Sequence, residues 1–373
     1  MGDQHLGFRQ YGFVERMEDF MIAVAYVFDR AIALKVDGII LTGDTFQSSL
    51  PPGSAVYFLY MMVQKAREAG INVWGIDGNH DSVESAWLKV CGVLPLDTPH
   101  EFQEARNLYT GGVKIAGING CSPAKFRERL AQLQKDYAGE TLDVLVIHQS
   151  LAEMCGFQGV ELTCSEVAAA VAPLKTRLVL MGDIHDYAES VTGATRFIYA
   201  GSTELNERGE GASKSFSVVD ITPTELRTEI HPIPVRPLFD VYIEKDEELD
   251  GLLAKVAVAA GGDPRLPLTL VSYDPDIPDF QRRAKSLLDG RVLYRLIPVP
   301  KTQRNSDIFA QIGQQTYERT GALLDLRDVI AVVHAPGTDE FALILLLLER
   351  PDSVREVVAR YIRDKGLDNL VKL

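Results

Sequence analysis

Short, unbroken apolar runs alternate along most of this chain with longer stretches whose apolar residues recur at three- and four-residue spacing, and that alternation leaves few folds open. Over residues 14–35, Met17, Phe20, Met21, Val24, Val27, Phe28 and Ile32 fall on one helical stripe. The run Gly38-Ile-Ile-Leu-Thr-Gly43 follows as a short buried strand. Pro51-Pro52-Gly53 then leads into a second predicted helix, 54–69, which Gly70 stops. Residues 71–76, 143–147, 177–181, 196–199 and 216–221 each read as a strand. A strand that is apolar on both sides needs cover on both sides, so the pattern predicts an α/β core sheathed by helices.

Pro232, Pro234 and Pro237 interrupt this pattern and mark a boundary. Beyond them the predicted order is strand (239–243), helix (247–260), strand (268–273), helix (279–288) and strand (292–297), enough for a small α/β domain. From Asn305 the chain reads as mostly helical, with a break at Pro336-Gly337. Pro351 suits the first turn of a last helix, where a missing N–H costs nothing. The predicted division is 1–232, 238–300 and 305–373, and a 373-residue chain is indeed too long for one compact core.

A formal net charge of −14 excludes a simple basic nucleic-acid-binding module, which would carry an excess of Lys and Arg. It leaves room for an enzyme whose carboxylates are neutralised by metal ions. The longest apolar run, 341–348, is too short to span a bilayer, and nothing near Met1 has the layout of a signal peptide. The 4 cysteines show no CxxC spacing, which predicts a reduced, cytoplasmic setting.

Five short motifs carry the chemistry: Asp3-Gln4-His5, Gly43-Asp44, Gly78-Asn79-His80-Asp81, His148 and Gly182-Asp183-Ile184-His185. Each follows or ends a predicted strand, and in an α/β sheet those ends converge on one rim. Taken singly each is weak, since Gly-Asp is commonly a turn and a lone histidine commonly a core residue. Together they hold 4 of the chain's 7 histidines. Carboxylate, amide and imidazole donors suit a pair of divalent ions, which can activate water and neutralise a phosphoryl group. Asp44 is the natural bridging carboxylate. Asn79 offers a neutral oxygen, and His80 is placed to act as general acid or transition-state stabiliser. His100, His231 and His334 stand outside these settings.

This order of motifs resembles that of the calcineurin-like metallophosphoesterases: D-x-H, GD, GNH[DE], a lone His, then G-H-x-H. Within them, the opening Asp3-Gln-His-Leu-Gly7 and the long first helix look like the SbcD-type nuclease subunit of the double-strand-break repair complex. Tyr199-Ala-Gly-Ser-Thr-Glu204 with Gly209-Glu210, and Val235-Arg-Pro-Leu238, are similar to later segments of that subfamily. The resemblance implies a two-sheet sandwich flanked by helices, a small α/β capping domain and a helical C-terminal tail. It implies one metal held by Asp3, His5, Asp44 and His185, and a second held by Asp44, Asn79, His148 and Asp183, with His80 catalytic. The expected ions are two divalent cations, manganese or else magnesium. The expected activity is endonuclease and 3′–5′ exonuclease action on DNA, with an SMC-like ABC ATPase as partner. Two alternatives stay open: a small-molecule phosphodiesterase or phosphatase on the same site, and a DNA-end-binding scaffold of weakened catalysis.

Two departures from the pattern matter. Asp183 stands where histidine is usual; a carboxylate still suits a hard cation, but the extra negative charge should weaken attraction to phosphate. The chain also opens at Met1, close before Asp3: either the start is misassigned or the first strand is abbreviated, which would loosen the first metal site. The helix at 54–69 is apolar almost all round, and two readings stand, deep burial within the chain or a homodimer contact there.

Overall fold

The computed structural model describes residues 1–299 apart from 82–85, 98–102, 108–110, 157–158, 209, 211–212, 223, 244, 246 and 260–264. The C-terminal region predicted as helical, 305–373, and the boundary at 300–304 lie outside the described residues. Met1–Pro298 forms one compact unit.

In chain order the helices and strands are α1 (Val14–Leu34), β1 (Gly38–Leu41), α2 (Gly53–Glu68), β2 (Asn72–Gly75), α3 (Trp87–Val90), β3 (Leu94–Pro95), β4 (Gln103–Asn107), β5 (Gly111–Ile118), α4 (Pro123–Asp136), β6 (Val144–His148), α5 (Cys164–Val171), β7 (Leu178–Gly182), β8 (Ala188–Thr192), β9 (Thr195–Tyr199), β10 (Lys214–Ile221), β11 (Leu226–Ile233), β12 (Leu238–Ile243), α6 (Glu247–Ala259), β13 (Leu268–Tyr273), α7 (Phe280–Leu288) and β14 (Leu293–Pro298). The main sheet has the order β4-β5-β6-β7-β9-β8, parallel from β5 through β9. A second, parallel sheet is β1-β2-β3, and β10 and β11 form a separate antiparallel hairpin. The chain is mixed α/β, with its sheets flanked by helices.

Alternation along each strand explains the layers. Leu145 and Ile147 of β6 join Val179 and Met181 of β7 beneath Phe126 and Leu130 of α4 and Val167 and Val171 of α5. Val144, Val146, Leu178 and Ile198 point the other way, toward Trp74 of β2 and partly buried Val219, Ile221 and Leu226 of the hairpin. On the outer side of β1 and β2, Val24 and Phe28 of α1 and Leu59 and Val63 of α2 cover Ile39, Leu41 and Val73. Helix, sheet, sheet, helix is the resulting order, with each layer burying the apolar face of the next. Between the two sheet layers lies a cavity of about 810 Å³, bounded by Ile40, Trp74, Leu178, Ile198, Phe216 and Val219 among others.

Past the prolines, β12, β13 and β14 form a parallel sheet with its own core, in which Leu249 and Leu252 of α6 and Phe280 and Ala284 of α7 meet Val271 and Tyr273. One buried acid joins this smaller layer to the rest. Asp19 of α1, fully buried, pairs with Arg16 at 2.8 Å, with Arg236 through both oxygens at 2.6 and 2.9 Å, and with Arg265 at 3.5 Å. Arg16, also fully buried, reaches on to Glu204 and to the carbonyl of Leu205. No helix among the described residues is long and apolar enough to cross a membrane.

Candidate metal centre

Residues 1–6 are not a long strand; they lie parallel to 42–46 and are tied to them by backbone bonds and isolated bridges. Thr42 N–H donates to the Met1 carbonyl, Asp3 N–H to Gly43 at 3.1 Å, His5 N–H to Asp44 at 3.0 Å and Leu6 N–H to Thr45 at 2.9 Å. Gly2 bridges Ser202 and Leu6 bridges Phe46. That register sets Asp3 and His5 beside Asp44, and Asp3 is fully buried. Asp44 follows β1, Asn79 and His80 follow β2, His148 ends β6, and Asp183 and His185 follow β7. Every one of these motifs leaves the carboxyl end of a strand, so side chains far apart in sequence meet on one rim.

Glycine precedes the acid or amide in these motifs because the backbones approach very closely. A Cβ on Gly78 would lie 2.1 Å from Asp44 Oδ1, and one on Gly43 would lie 2.4 Å from His148 Nδ1. Gly43 also has φ +99°, where an L side chain is strained. Asp81 holds the loops together by accepting N–H bonds from Thr45, Phe46 and Gly78 at 3.0, 2.8 and 3.0 Å. The candidate ligands themselves sit in the left-handed region: φ is 52° at Asp3, 44° at His5, 49° at Asp44 and 96° at Asp183. Such conformations persist only where the surroundings enforce them, and they cluster at functional sites.

Three overlapping groups could each hold an ion, with ligand atoms within 4.8 Å of one another: Asp3, His5 and His185; His5, Asp44 and His80; and Asp3, Asp44 and His148. Asn79 Oδ1 lies 2.8 Å from His148 Nε2, and Asp44 Oδ2 lies 3.4 Å from the same nitrogen. Asp183 reaches the group from the side. Its Oδ1 is 3.8 Å from His148 Nε2, its amide donates to Asp3 Oδ1 at 3.0 Å, and its Oδ2 accepts from the Ser150 hydroxyl. All eight residues singled out in the sequence therefore converge. His231 does not; it stacks on Phe216 at 5.1 Å, and His100 and His334 lie outside the described residues.

The donors fit a divalent cation. Asp3 Oδ2 and both ring nitrogens of His5 are buried with no hydrogen-bond partner, a costly state for polar atoms unless something else satisfies them. The site's electrostatics point the same way. Burial raises the Asp3 carboxyl to about 6 against the opposing pull of His148 and His185. Burial lowers His5 to about 3, so it is neutral and able to ligate. Burial would also lower His148, but Asp44, Asp3 and Asp183 outweigh it and raise this histidine to about 10. The pocket thus draws positive charge to itself.

Neighbouring groups aim the imidazoles. His148 Nδ1–H donates to the Thr42 carbonyl at 2.9 Å, which turns Nε2 toward Asp44 and Asn79. His80 Nδ1–H donates to the Gln47 carbonyl at 2.9 Å, and its amide donates to Asp44 Oδ1 at 2.8 Å. With 39% of its side chain exposed, His80 is far more open than His148 at 2%, so it can touch a substrate. Sequence reasoning did not single out Ser150, Glu210 or Lys214 as site residues. Glu210 Oε1 accepts from His185 Nδ1–H at 2.7 Å, and Lys214 Nζ meets Glu210 Oε2 at 2.6 Å. Such supporting contacts have no fixed spacing; the only sequence trace is a carboxylate in the loop after the last histidine motif.

No protein-family model matches the chain. Similar curated proteins do exist. The DNA double-strand break repair protein Mre11 of Methanosarcina mazei is 29% identical over 250 residues, covering 66% of this chain and 39% of that protein. Its namesake from Sulfurisphaera tokodaii is 27% identical over 277 residues, covering 66% of this chain and 70% of that one. A metallophosphoesterase of Bacillus subtilis, YhaO, is 25% identical over 244 residues, covering 61% and 58%. The chain spans about two fifths of the length of the two Methanosarcina proteins it matches. With its Asp, Asn and His side chains gathered on one sheet rim, the chain is similar to Mre11 proteins and to a metallophosphoesterase.

Proposed function

We propose that the chain is a metal-dependent DNA nuclease that hydrolyses phosphodiester bonds during double-strand-break processing. The observation that carries this reading is the convergence of Asp3, His5, Asp44, His148 and His185 with buried ligand atoms left without a protein partner. Asp3, His5, Asp44 and His185 would hold one divalent ion, and Asp44, Asn79, His148 and Asp183 a second. Such a pair, manganese or magnesium, supplies a nucleophilic water at neutral pH and neutralises the phosphoryl oxygens.

The protein's own groups do the rest. Asp44 lies between the two sets and is buried, which fixes its carboxylate with no freedom to reorganise. His148 is locked by the Thr42 carbonyl. The Gln47 carbonyl takes His80 Nδ1–H, which leaves Nε2, 4.0 Å from Asp44 Oδ2, as the nitrogen that, in the protonated ring, can give a proton to a leaving oxygen or stabilise charge on the phosphate. An SMC-like ABC ATPase is the proposed partner; the apolar run 341–348, open to docking it or to packing within the chain, lies outside the described residues, and co-purification with the full chain tests the partnership.

The decisive assay sets plasmid and linear DNA beside an aryl phosphodiester, with manganese and with chelator. DNA cleavage that chelator abolishes, and that His80→Ala reduces by roughly 10²–10⁴-fold while metal still binds, is the expected result. Cleavage of the aryl ester alone would favour a small-molecule phosphodiesterase. Binding of DNA ends with no cleavage of either substrate would favour a scaffold. A wild-type rate in His80→Ala overturns the role of that residue.

A further inference from the structure

The loop between β9 and β10 makes contacts that the metal site alone does not account for. Glu210 is its focus. The carboxylate is 8% exposed and receives His185 Nδ1–H at 2.7 Å, Lys214 Nζ at 2.6 Å, and the backbone N–H groups of Asn206 and Glu207 at 3.1 and 2.8 Å. Lys214, its side chain 2% exposed, also donates through Nζ to the His185 carbonyl at 3.1 Å. His185 is thereby held at its ring and at its backbone. With Nδ1 taken, Nε2 is the nitrogen left for the group it shares with Asp3 and His5. A carboxylate on the far nitrogen of a ligating imidazole fixes the ring's orientation and tautomer and raises its basicity.

The same loop is fastened on both sides. Toward the main body, Gln10 Nε2 donates to the Asn206 carbonyl at 2.6 Å, Arg16 donates to the Leu205 carbonyl at 2.8 Å, and Asn206 Nδ2 reaches the Asp3 carbonyl at 3.5 Å. Toward the smaller layer, Arg208 grips both oxygens of Asp240 on β12 and donates to Ser272 Oγ on β13 at 2.9 Å. Ser272 is buried, so the guanidinium is seated against the sheet and is not a stray surface contact. Asp240 and His185 are thus each tied to this loop, the first by a bidentate ion pair to Arg208 and the second by one charged hydrogen bond to Glu210.

We propose that Glu210 is a positioning residue for His185 and that the Arg208–Asp240 clasp lets the β12–β14 layer set how well that histidine binds metal. The proposal rests on His185 being a metal ligand, and its test keeps the two claims apart. Manganese affinity is measured on the full chain by titration followed by electron paramagnetic resonance, for wild type, His185→Ala, Glu210→Gln, Arg208→Ala, Asp240→Ala and the exchanged pair Arg208→Asp with Asp240→Arg. Thermal melts confirm that each variant folds, and ring ¹⁵N shifts of His185 report its tautomer without metal.

Glu210→Gln should weaken one manganese site on the order of 10- to 100-fold, spare the other, and shift the His185 ring signals. Arg208→Ala and Asp240→Ala should each weaken the same site by about two- to fivefold, as befits a half-exposed ion pair, and the exchanged pair should recover most of that loss. If His185→Ala leaves both sites at full affinity, the ligand reading fails. If His185→Ala removes a site while Glu210→Gln binds like wild type, the positioning role fails. If Glu210→Gln behaves as expected but both clasp variants bind like wild type, the link to the smaller layer fails.

Discussion

Asp183 decides the charge of the site. Its carboxylate joins those of Asp3 and Asp44, and the nearby Ser150 hydroxyl and Asp3 contact fix where it stands. An imidazole there would donate a neutral nitrogen and remove a negative charge that opposes phosphate. Asp183→His should therefore keep or raise manganese-dependent cleavage of DNA in a side-by-side rate measurement. Complete loss of cleavage in a folded variant would show that the residue is not an interchangeable ligand. Asp44, Asn79, His80, His148 and His185 were legible in the sequence because each ends or closely follows an apolar run, and Asp3 and His5 because they stand together as Asp-x-His. Glu210, Lys214 and Ser150 were not, since what selects them is distance in space to His185 and Asp183, and nothing in their local sequence marks that distance.

At the scale of elements, periodicity located α1, α2, β1, β2, β6, β7, β9, β10 and every element of the smaller layer to within a few residues. Others carried signals that went unused. Ser122-Pro123 opens α4, with Ser122 Oγ accepting from Lys125 N–H at 3.4 Å, and Thr163 with Glu166 opens α5 in the same way at 3.0 Å. β11 is hidden by Pro232, which fits only because β11 pairs on one side, with β10. No strand pattern tells what faces a strand across the core, so the cavity between the sheets was not foreseeable. For α2 the apolar girdle splits cleanly. Ala55, Leu59 and Val63 are buried, whereas Tyr57, Tyr60 and Met61 are 65%, 42% and 43% exposed. This supports a homodimer contact on that face. Sedimentation should show a dimer at micromolar concentration that Tyr57→Lys with Met61→Glu converts to monomer; a wild-type monomer would rule the contact out.

At the scale of the whole molecule, the proline-marked boundary shows where the sheets change but not how they are joined. Nothing in the spacing of Arg16, Asp19, Arg236 and Arg265 announces that one carboxylate serves three guanidinium groups. Removing it takes from Arg16 and Arg236, both buried, the counterion they share, a loss on the order of 3–5 kcal/mol for a buried pair broken on one side. Asp19→Asn should accordingly lower the melting temperature and split calorimetric unfolding into two steps, with faster proteolysis between β11 and β12. An unchanged single transition would refute this. The larger and smaller cores have a counterion in common, so neither can melt without stranding charge on the other. One acid of the first helix thereby governs whether heat meets one cooperative body or two.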